Sequence, residues 1–113
     1  MKNIKIILII LISGILFLSC DSTTTQDLSP VVIAPTYTAN LEPVFDANCV
    51  SCHSGGSQQP DLNSYLAVKN ATLNGDVLCR ISGTCGSIMP QSGALPQATV
   101  TMISTWKSNG CPE

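Results

Sequence analysis

The chain has 113 residues, of which 44% are hydrophobic and only 11% are charged. This length allows one domain at most, and the scarcity of basic residues argues against a nucleic-acid partner. Beyond residue 20 the chain has three basic and seven acidic residues, so a partner attracted by charge would present a positive face.

The first nineteen residues have the pattern of an export signal. Lys2 and Lys5 precede an apolar run over residues 6–18. A helix of that length rises about 20 Å, which is too short for a hydrocarbon core of roughly 30 Å. We therefore predict a cleaved lipoprotein-type signal peptide at residues 1–19, in preference to an uncleaved anchor helix.

The sequence FLSC at residues 17–20 resembles a bacterial lipobox, whose cysteine becomes the lipidated first residue of the mature protein. The resemblance implies that Cys20 carries acyl chains, and more than one chain anchors a protein stably. The expected location is therefore on the exported side of a bacterial membrane, facing the periplasm.

Residues 20–38 are rich in Ser, Thr and Pro and sustain neither a helical nor a strand period. They are predicted to form a flexible linker, although the short apolar run at residues 31–33 could instead pack on the domain. Residues 39–113 are then the folded domain. So small a domain, with only three aromatic side chains, needs a staple such as disulfides, a metal or a covalent cofactor.

The folded part contains four helical segments and no clear strand, which predicts an all-α fold. An apolar repeat predicts the first helix over residues 40–48. Pro43 is tolerated only in a first turn, so this helix should start near Thr38 or Asn40, both of which are suitable N-caps.

Three more helices are predicted, over residues 63–71, 76–81 and 97–108. The segment 76–81 also suits a strand, but a helix is favoured because no partner strand is evident. The last helix begins at Pro96 or the residue after it, and Gly110 stands where a residue that ends a helix belongs.

Residues 49–53 read CVSCH, a pattern that three chemistries use. A redox dithiol needs a βαβ setting, which this sequence does not predict. A zinc site needs two further ligands, and the other cysteines of the domain do not repeat the spacing. The remaining chemistry is covalent haem attachment at C-x-x-C-H, which requires three fixed positions and finds all of them here.

A covalent haem c, one per chain, is therefore the predicted cofactor. The thiols of Cys49 and Cys52 would add to the porphyrin vinyl groups, and His53, the only histidine, would be an axial ligand of the iron. The haem would also supply the apolar bulk that the side chains lack.

A second strong ligand is needed if the iron is to carry electrons rather than bind a substrate. Met89 lies in a loop directly before Pro90, where a helix is disfavoured, so its thioether can reach the open face of a haem. Met102 lies within the last predicted helix, where a methionine is more often a filler. Met89 is the predicted ligand, and the alternative is that it only covers the core.

Together, CVSCH, the Met-Pro loop and a closing helix with Trp106 resemble a small monohaem c-type cytochrome of the class I kind. The chain is similar to the cytochrome c-like lipoproteins of Gram-negative bacteria from about Leu41 to Glu113. This resemblance implies three to four short helices wrapped around a covalently bound haem. It also implies that the helix ending at Cys49 packs across the C-terminal helix.

The resemblance also assigns roles by position. It makes Cys49 and Cys52 the thioether residues, His53 the proximal ligand and Met89 the distal one. The sequence PDL at residues 60–62 is similar to the Pro-x-Leu that follows the haem motif in this family. It implies that the Pro60 carbonyl accepts the ring N–H of the ligand histidine and so fixes its tautomer.

Four residues of the domain remain open in role. Arg80, the only arginine, is a candidate partner of a haem propionate, or else a solvated surface residue. A short disulfide between Cys79 and Cys85 is plausible in an oxidising compartment, and Cys111 could pair with either one. One of these three thiols is left over in every pairing.

These features predict a one-electron carrier rather than an enzyme, tethered to a membrane and serving redox partner proteins, alone or as a subunit of an oxidoreductase complex. No small-molecule substrate is expected. One alternative is a haem domain whose open sixth site acts on peroxide or another small ligand. Another is an extracellular interaction module without haem, stapled by zinc or disulfides.

Overall fold

The computed structural model describes residues 32–113, so the predicted signal peptide, the lipid attachment at Cys20 and most of the linker lie outside the described residues. Within this range 48% of the residues are helical and there is no strand, which confirms the all-α prediction. No helix in the described range has the length and apolar character needed to cross a bilayer.

A π-helical turn at Tyr37–Leu41 leads directly into helix α1 (Glu42–Asn48). Three helices follow, namely α2 (Tyr65–Asn74), α3 (Val77–Ile81) and α4 (Gln97–Ser108). The helix predicted over residues 76–81 is therefore present, and the strand alternative for this segment is wrong.

The N-terminal helical segment begins earlier than the sequence predicted. Its cap is Thr36, whose Oγ1 accepts a hydrogen bond from the Ala39 N–H at 3.4 Å. The Tyr37 N–H donates to the Pro112 carbonyl at 3.0 Å, and both Pro35 and Tyr37 are buried. Residues 35–38 therefore belong to the folded domain and not to the linker, because a contact with the distant C-terminal tail holds them in place.

Helix α4 has the bounds that its flanking residues predict. Gly110, two residues beyond its end, has a φ of 82°, which glycine adopts without strain. Helix α2 starts two residues later than predicted, since Ser64 provides the cap by accepting the Ala67 N–H at 3.4 Å. It continues to Asn74, where Gly75 ends it.

The core forms where α1, α2 and α4 meet. Its largest fully buried side chains are Trp106, Phe45, Leu41, Ile103, Val68 and Thr72. The Tyr37 ring lies 5.4 Å from the Tyr65 ring and 6.2 Å from the Trp106 ring, measured between centroids. The Trp106 indole N–H donates to the Pro112 carbonyl at 2.8 Å, so the polar atom of this buried ring is satisfied.

The C-terminal helix contacts two other parts of the domain. Its backbone packs beside α3, and the segment before α1 reaches it through the contact between the tilted Tyr37 and Trp106 rings. The stretches of chain that follow α1 and α3 both line the same cleft.

Candidate functional site

A single cleft collects every residue that the sequence singled out for cofactor binding. Its volume is about 560 Å³, within the range of roughly 300–1,000 Å³ that is usual for ligand and cofactor sites. The predicted residues that line it are Cys49, Cys52, His53, Pro60, Arg80 and Met89. They come from the turn after α1, the loop before α2, helix α3 and the loop before α4.

The walls of the cleft are apolar, and its mouth is polar but mostly uncharged. Four apolar side chains that the sequence analysis did not assign to the site form the walls, namely Phe45, Leu62, Val77 and Ile81. Exposed amides and hydroxyls surround them, contributed by Asn48, Ser51, Gln58, Gln59, Gln91 and Ser92. Such a site can hold a large, flat, mainly apolar ligand.

The CVSCH segment continues the end of α1 as a series of tight turns. The Cys49 N–H donates to the Phe45 carbonyl at 2.8 Å, and the His53 N–H donates to the Cys49 carbonyl at 2.9 Å. The Cys52 N–H also donates to the Cys49 carbonyl, at 3.1 Å. These bonds wind the backbone so that both cysteines and the histidine border the same cleft.

The tautomer of His53 is fixed by one hydrogen bond. Its Nδ1 lies 2.9 Å from the Pro60 carbonyl oxygen. A carbonyl can only accept, so Nδ1 carries the proton and donates, and Nε2 keeps its lone pair for a ligand. The backbone repeats the connection, because the Leu62 N–H donates to the His53 carbonyl at 2.7 Å.

The two thiols of the motif differ in environment. Burial raises the pKa of the Cys49 thiol to about 11, whereas Cys52 is exposed. A thiol–disulfide oxidoreductase works through a thiolate of lowered pKa. The environment of Cys49 therefore disfavours dithiol chemistry at this site.

A zinc site at the motif is also disfavoured. Among the described residues, the one group of three His, Cys, Asp or Glu side chains with ligand atoms within 4.8 Å of one another is Asp76, Cys79 and Cys85. Its two sulfur atoms are joined in a disulfide, so they are not available as thiolate ligands. Cys49, Cys52 and His53 do not converge on one point as tetrahedral zinc would require.

The two methionines of the domain have different positions. Met89 is half-buried in the cleft, and its N–H donates to the Arg80 carbonyl at 3.0 Å, which ties the loop to the end of α3. Met102 packs against the hydrophobic core and does not line the cleft. Of the two methionines, only Met89 lines the same cleft as His53, so only its thioether could contact a group that His53 binds there.

Arg80 is a half-buried cation at the edge of this cleft. Gly86, with a φ of 58°, lies so close that a Cβ at this position would collide with the Arg80 guanidinium. No carboxylate among the described residues forms a salt bridge with Arg80. The guanidinium is thus available for an anionic group of a bound ligand.

Of the pairings that the sequence left open for three cysteines, the structure has the Cys79–Cys85 disulfide, with the two Cα atoms 5.3 Å apart. Within the loop that this disulfide closes, the Thr84 N–H donates to the Cys79 carbonyl at 2.8 Å. Cys111 is the remaining thiol and is completely buried, and this burial raises its pKa. It is a core residue, with no link to the cleft.

The residues in the cleft suit a covalent haem. Two thiols border an apolar volume without converging on a metal, one imidazole keeps Nε2 for a ligand, and one thioether lines the same volume. Comparison of the chain with protein-family models, curated proteins and solved structures gives no match.

Proposed function

We propose that this protein is a one-electron carrier with a single covalent haem c. Cys49 and Cys52 would hold the haem through thioether bonds, and His53 and Met89 would be the axial ligands of its iron. The observation that carries the proposal is the meeting of these four residues in one apolar cleft, although they are up to 40 positions apart in the chain. When bound, the haem supplies an iron that alternates between the ferric and ferrous states.

The protein groups around the haem would set the reduction potential of its iron. The thioether of Met89 is a weak donor that favours the ferrous state and so raises the reduction potential. The apolar walls exclude water and favour the state of lower charge. The Pro60 carbonyl acts in the opposite sense, since by accepting the Nδ1–H of His53 it makes the imidazole a stronger donor.

If His53 and Met89 both held the iron, no ligand position would be left for a substrate, and the bound haem would supply electron exchange alone. Partner redox proteins would meet the cleft mouth, whose mostly uncharged rim offers hydrogen-bonding groups. Acyl chains on Cys20 would hold the protein at a bacterial membrane on the exported side, and the linker would let the cleft reach membrane-bound partners. This arrangement would suit a free carrier or a subunit of a larger oxidoreductase.

Replacing Met89 tests the electron-carrier function against a haem domain with an open sixth site. In haem-loaded Met89→Ala we expect a lower midpoint potential and new binding of imidazole or cyanide, because the distal position becomes accessible. Met102→Ala is the matched control and should bind neither ligand, since Met102 lies in the core. Potentiometry and ligand titration followed by absorbance measure both effects.

If the parent protein already binds these ligands as tightly as Met89→Ala does, Met89 is not an axial ligand. The open-site alternative then replaces the electron carrier as the proposal. Equal changes in the Met89 and Met102 variants would indicate general loosening of the fold and would equally count against ligation by Met89.

A further inference from the structure

The loop that carries Pro60 is closed by a carboxylate that the haem motif does not include. The Oδ1 atom of Asp61 accepts a hydrogen bond from the Gly56 N–H at 3.0 Å. Asp61 is half-buried and forms no salt bridge with a cation of the described chain. This carboxylate is therefore committed to the backbone of its own loop.

Other bonds fix the two ends of the same loop to the CVSCH turn. At the first end, the Ser57 hydroxyl lies 2.6 Å from the Cys52 carbonyl and 2.9 Å from the Ser54 carbonyl. At the other end, the buried Leu62 donates its N–H to the His53 carbonyl at 2.7 Å. The Asp61–Gly56 bond joins these two ends across the residues between them.

Pro60 lies inside the segment that this bond closes, directly before Asp61. Its carbonyl is the acceptor for the His53 Nδ1–H at 2.9 Å. A proline has no N–H with which to hold its own position, so the carbonyl depends on its neighbours for placement. A carboxylate that accepts a backbone N–H makes a stronger bond than a neutral acceptor, which suits this task.

We propose that Asp61 is a positioning residue for the proximal ligand. Its carboxylate keeps residues 56–61 closed, so that the Pro60 carbonyl stays on Nδ1 of His53 and the imidazole remains a strong donor to the iron. The inference rests on the proposed haem function, and it adds a control on the reduction potential from a residue that does not touch the haem ligands directly.

Four variants of the haem-loaded protein distinguish the effect of the position of the acceptor at residue 61 from the effect of its charge. Asp61→Ala removes the acceptor and the charge, and Asp61→Asn keeps an acceptor but loses the charge. Asp61→Glu keeps the charge but moves the acceptor by one methylene. Asp46→Ala is the control, since Asp46 is an exposed carboxylate of α1 that does not line the cleft.

Two measurements report on the ligand rather than on activity. The first is hydrogen exchange of the His53 ring N–H, followed by NMR in the diamagnetic ferrous state, and the second is the midpoint potential. In Asp61→Ala we expect a roughly tenfold loss of exchange protection, the size of effect that a charge-assisted hydrogen bond supports, together with a raised potential. Asp61→Glu should show the same loss of protection although its charge is retained.

Asp61→Asn should keep most of the protection, because its amide oxygen can still accept the Gly56 N–H, and should show only the rise in potential that the lost charge causes. Asp46→Ala should leave exchange protection unchanged. Unchanged protection in both Asp61→Ala and Asp61→Glu would overturn the positioning role, whatever their potentials. A chain that acquires no haem at all would end the proposed function and this inference together, whereas a loaded chain that does not respond ends only the inference.

Discussion

Two single residues decide most of the chemistry that the cleft can support. His53 has one ring nitrogen committed to the Pro60 carbonyl, and the other is left as a ligand. Arg80 has a half-buried guanidinium without a carboxylate partner in the described chain. A propionate of a haem in the same cleft would be an anionic partner for this cation.

The role of Arg80 can be measured through the reduction potential. A positive charge near the iron opposes the additional charge of the ferric state, so Arg80→Gln should lower the midpoint potential. A unit charge roughly 10 Å from the iron, in an effective dielectric constant between about 20 and 80, corresponds to a shift of roughly 20–70 mV. Lys107→Gln is the control, because Lys107 lies on α4 away from the cleft.

Equal small shifts of the midpoint potential in the Arg80 and Lys107 variants would show that Arg80 acts only as an ordinary surface charge. The measurement is a redox titration of each haem-loaded variant, repeated at high salt. Since Arg80 lines the cleft and Lys107 does not, Arg80 would act on a haem in the cleft over a shorter distance, and its effect should survive added salt better than that of Lys107.

At the scale of elements, the connection between α3 and α4 determines where Met89 lies. The Cys79–Cys85 disulfide closes the first turn after α3. The Arg80 carbonyl then accepts the N–H groups of both Gly83, at 3.3 Å, and Met89, at 3.0 Å. The methionine loop is thus attached to the end of a helix that packs on α4.

Removing the disulfide should loosen this connection. For a loop of seven residues, the loss of the cross-link is worth about 2 kcal/mol in the free energy of unfolding. Urea titration of the Cys79→Ser/Cys85→Ser double variant should show this decrease, and added reductant should lower the parent to a similar stability. If reductant leaves the urea midpoint of the parent unchanged, the disulfide does not stabilise the domain.

Local sequence signals predicted the elements that they alone control. Helix α4 has its predicted bounds because Pro96 precedes it and Gly110 ends it. The first helix begins earlier than predicted, since the contact between Tyr37 and Pro112 that extends it joins opposite ends of the folded domain. Such a contact leaves no mark in a local apolar repeat.

The candidate site likewise contains residues that local sequence signals predict and residues that they do not. Of the residues that line the cleft, the six predicted ones were indicated by the CVSCH motif, by the resemblance of PDL at residues 60–62 to a family pattern, by the position of Met89 directly before Pro90, and by Arg80 being the only arginine. The apolar walls and the Asp61–Gly56 bond were missed, because they depend on how the loops fold back. The spacing of Asp61 from Gly56 carries no signal by itself.

At the scale of the whole molecule, the start of the described chain and the cleft are separate. The described chain starts beside the C-terminal tail, where the Asn109 side chain donates to the Ile33 carbonyl at 3.5 Å. No residue of 32–41 or 93–113 lines the cleft. A protein held through its N-terminal linker would therefore leave the cleft accessible to partners.

Covalent haem attachment can be tested by measuring the intact mass of the protein after denaturation. Full-length protein produced with a haem-attachment system should retain one haem per chain, with the matching absorbance, in a denaturing solvent. The Cys49→Ala/Cys52→Ala variant should lose it, whereas Cys111→Ala should keep it. A colourless chain of unmodified mass that instead contains stoichiometric zinc would contradict covalent haem attachment.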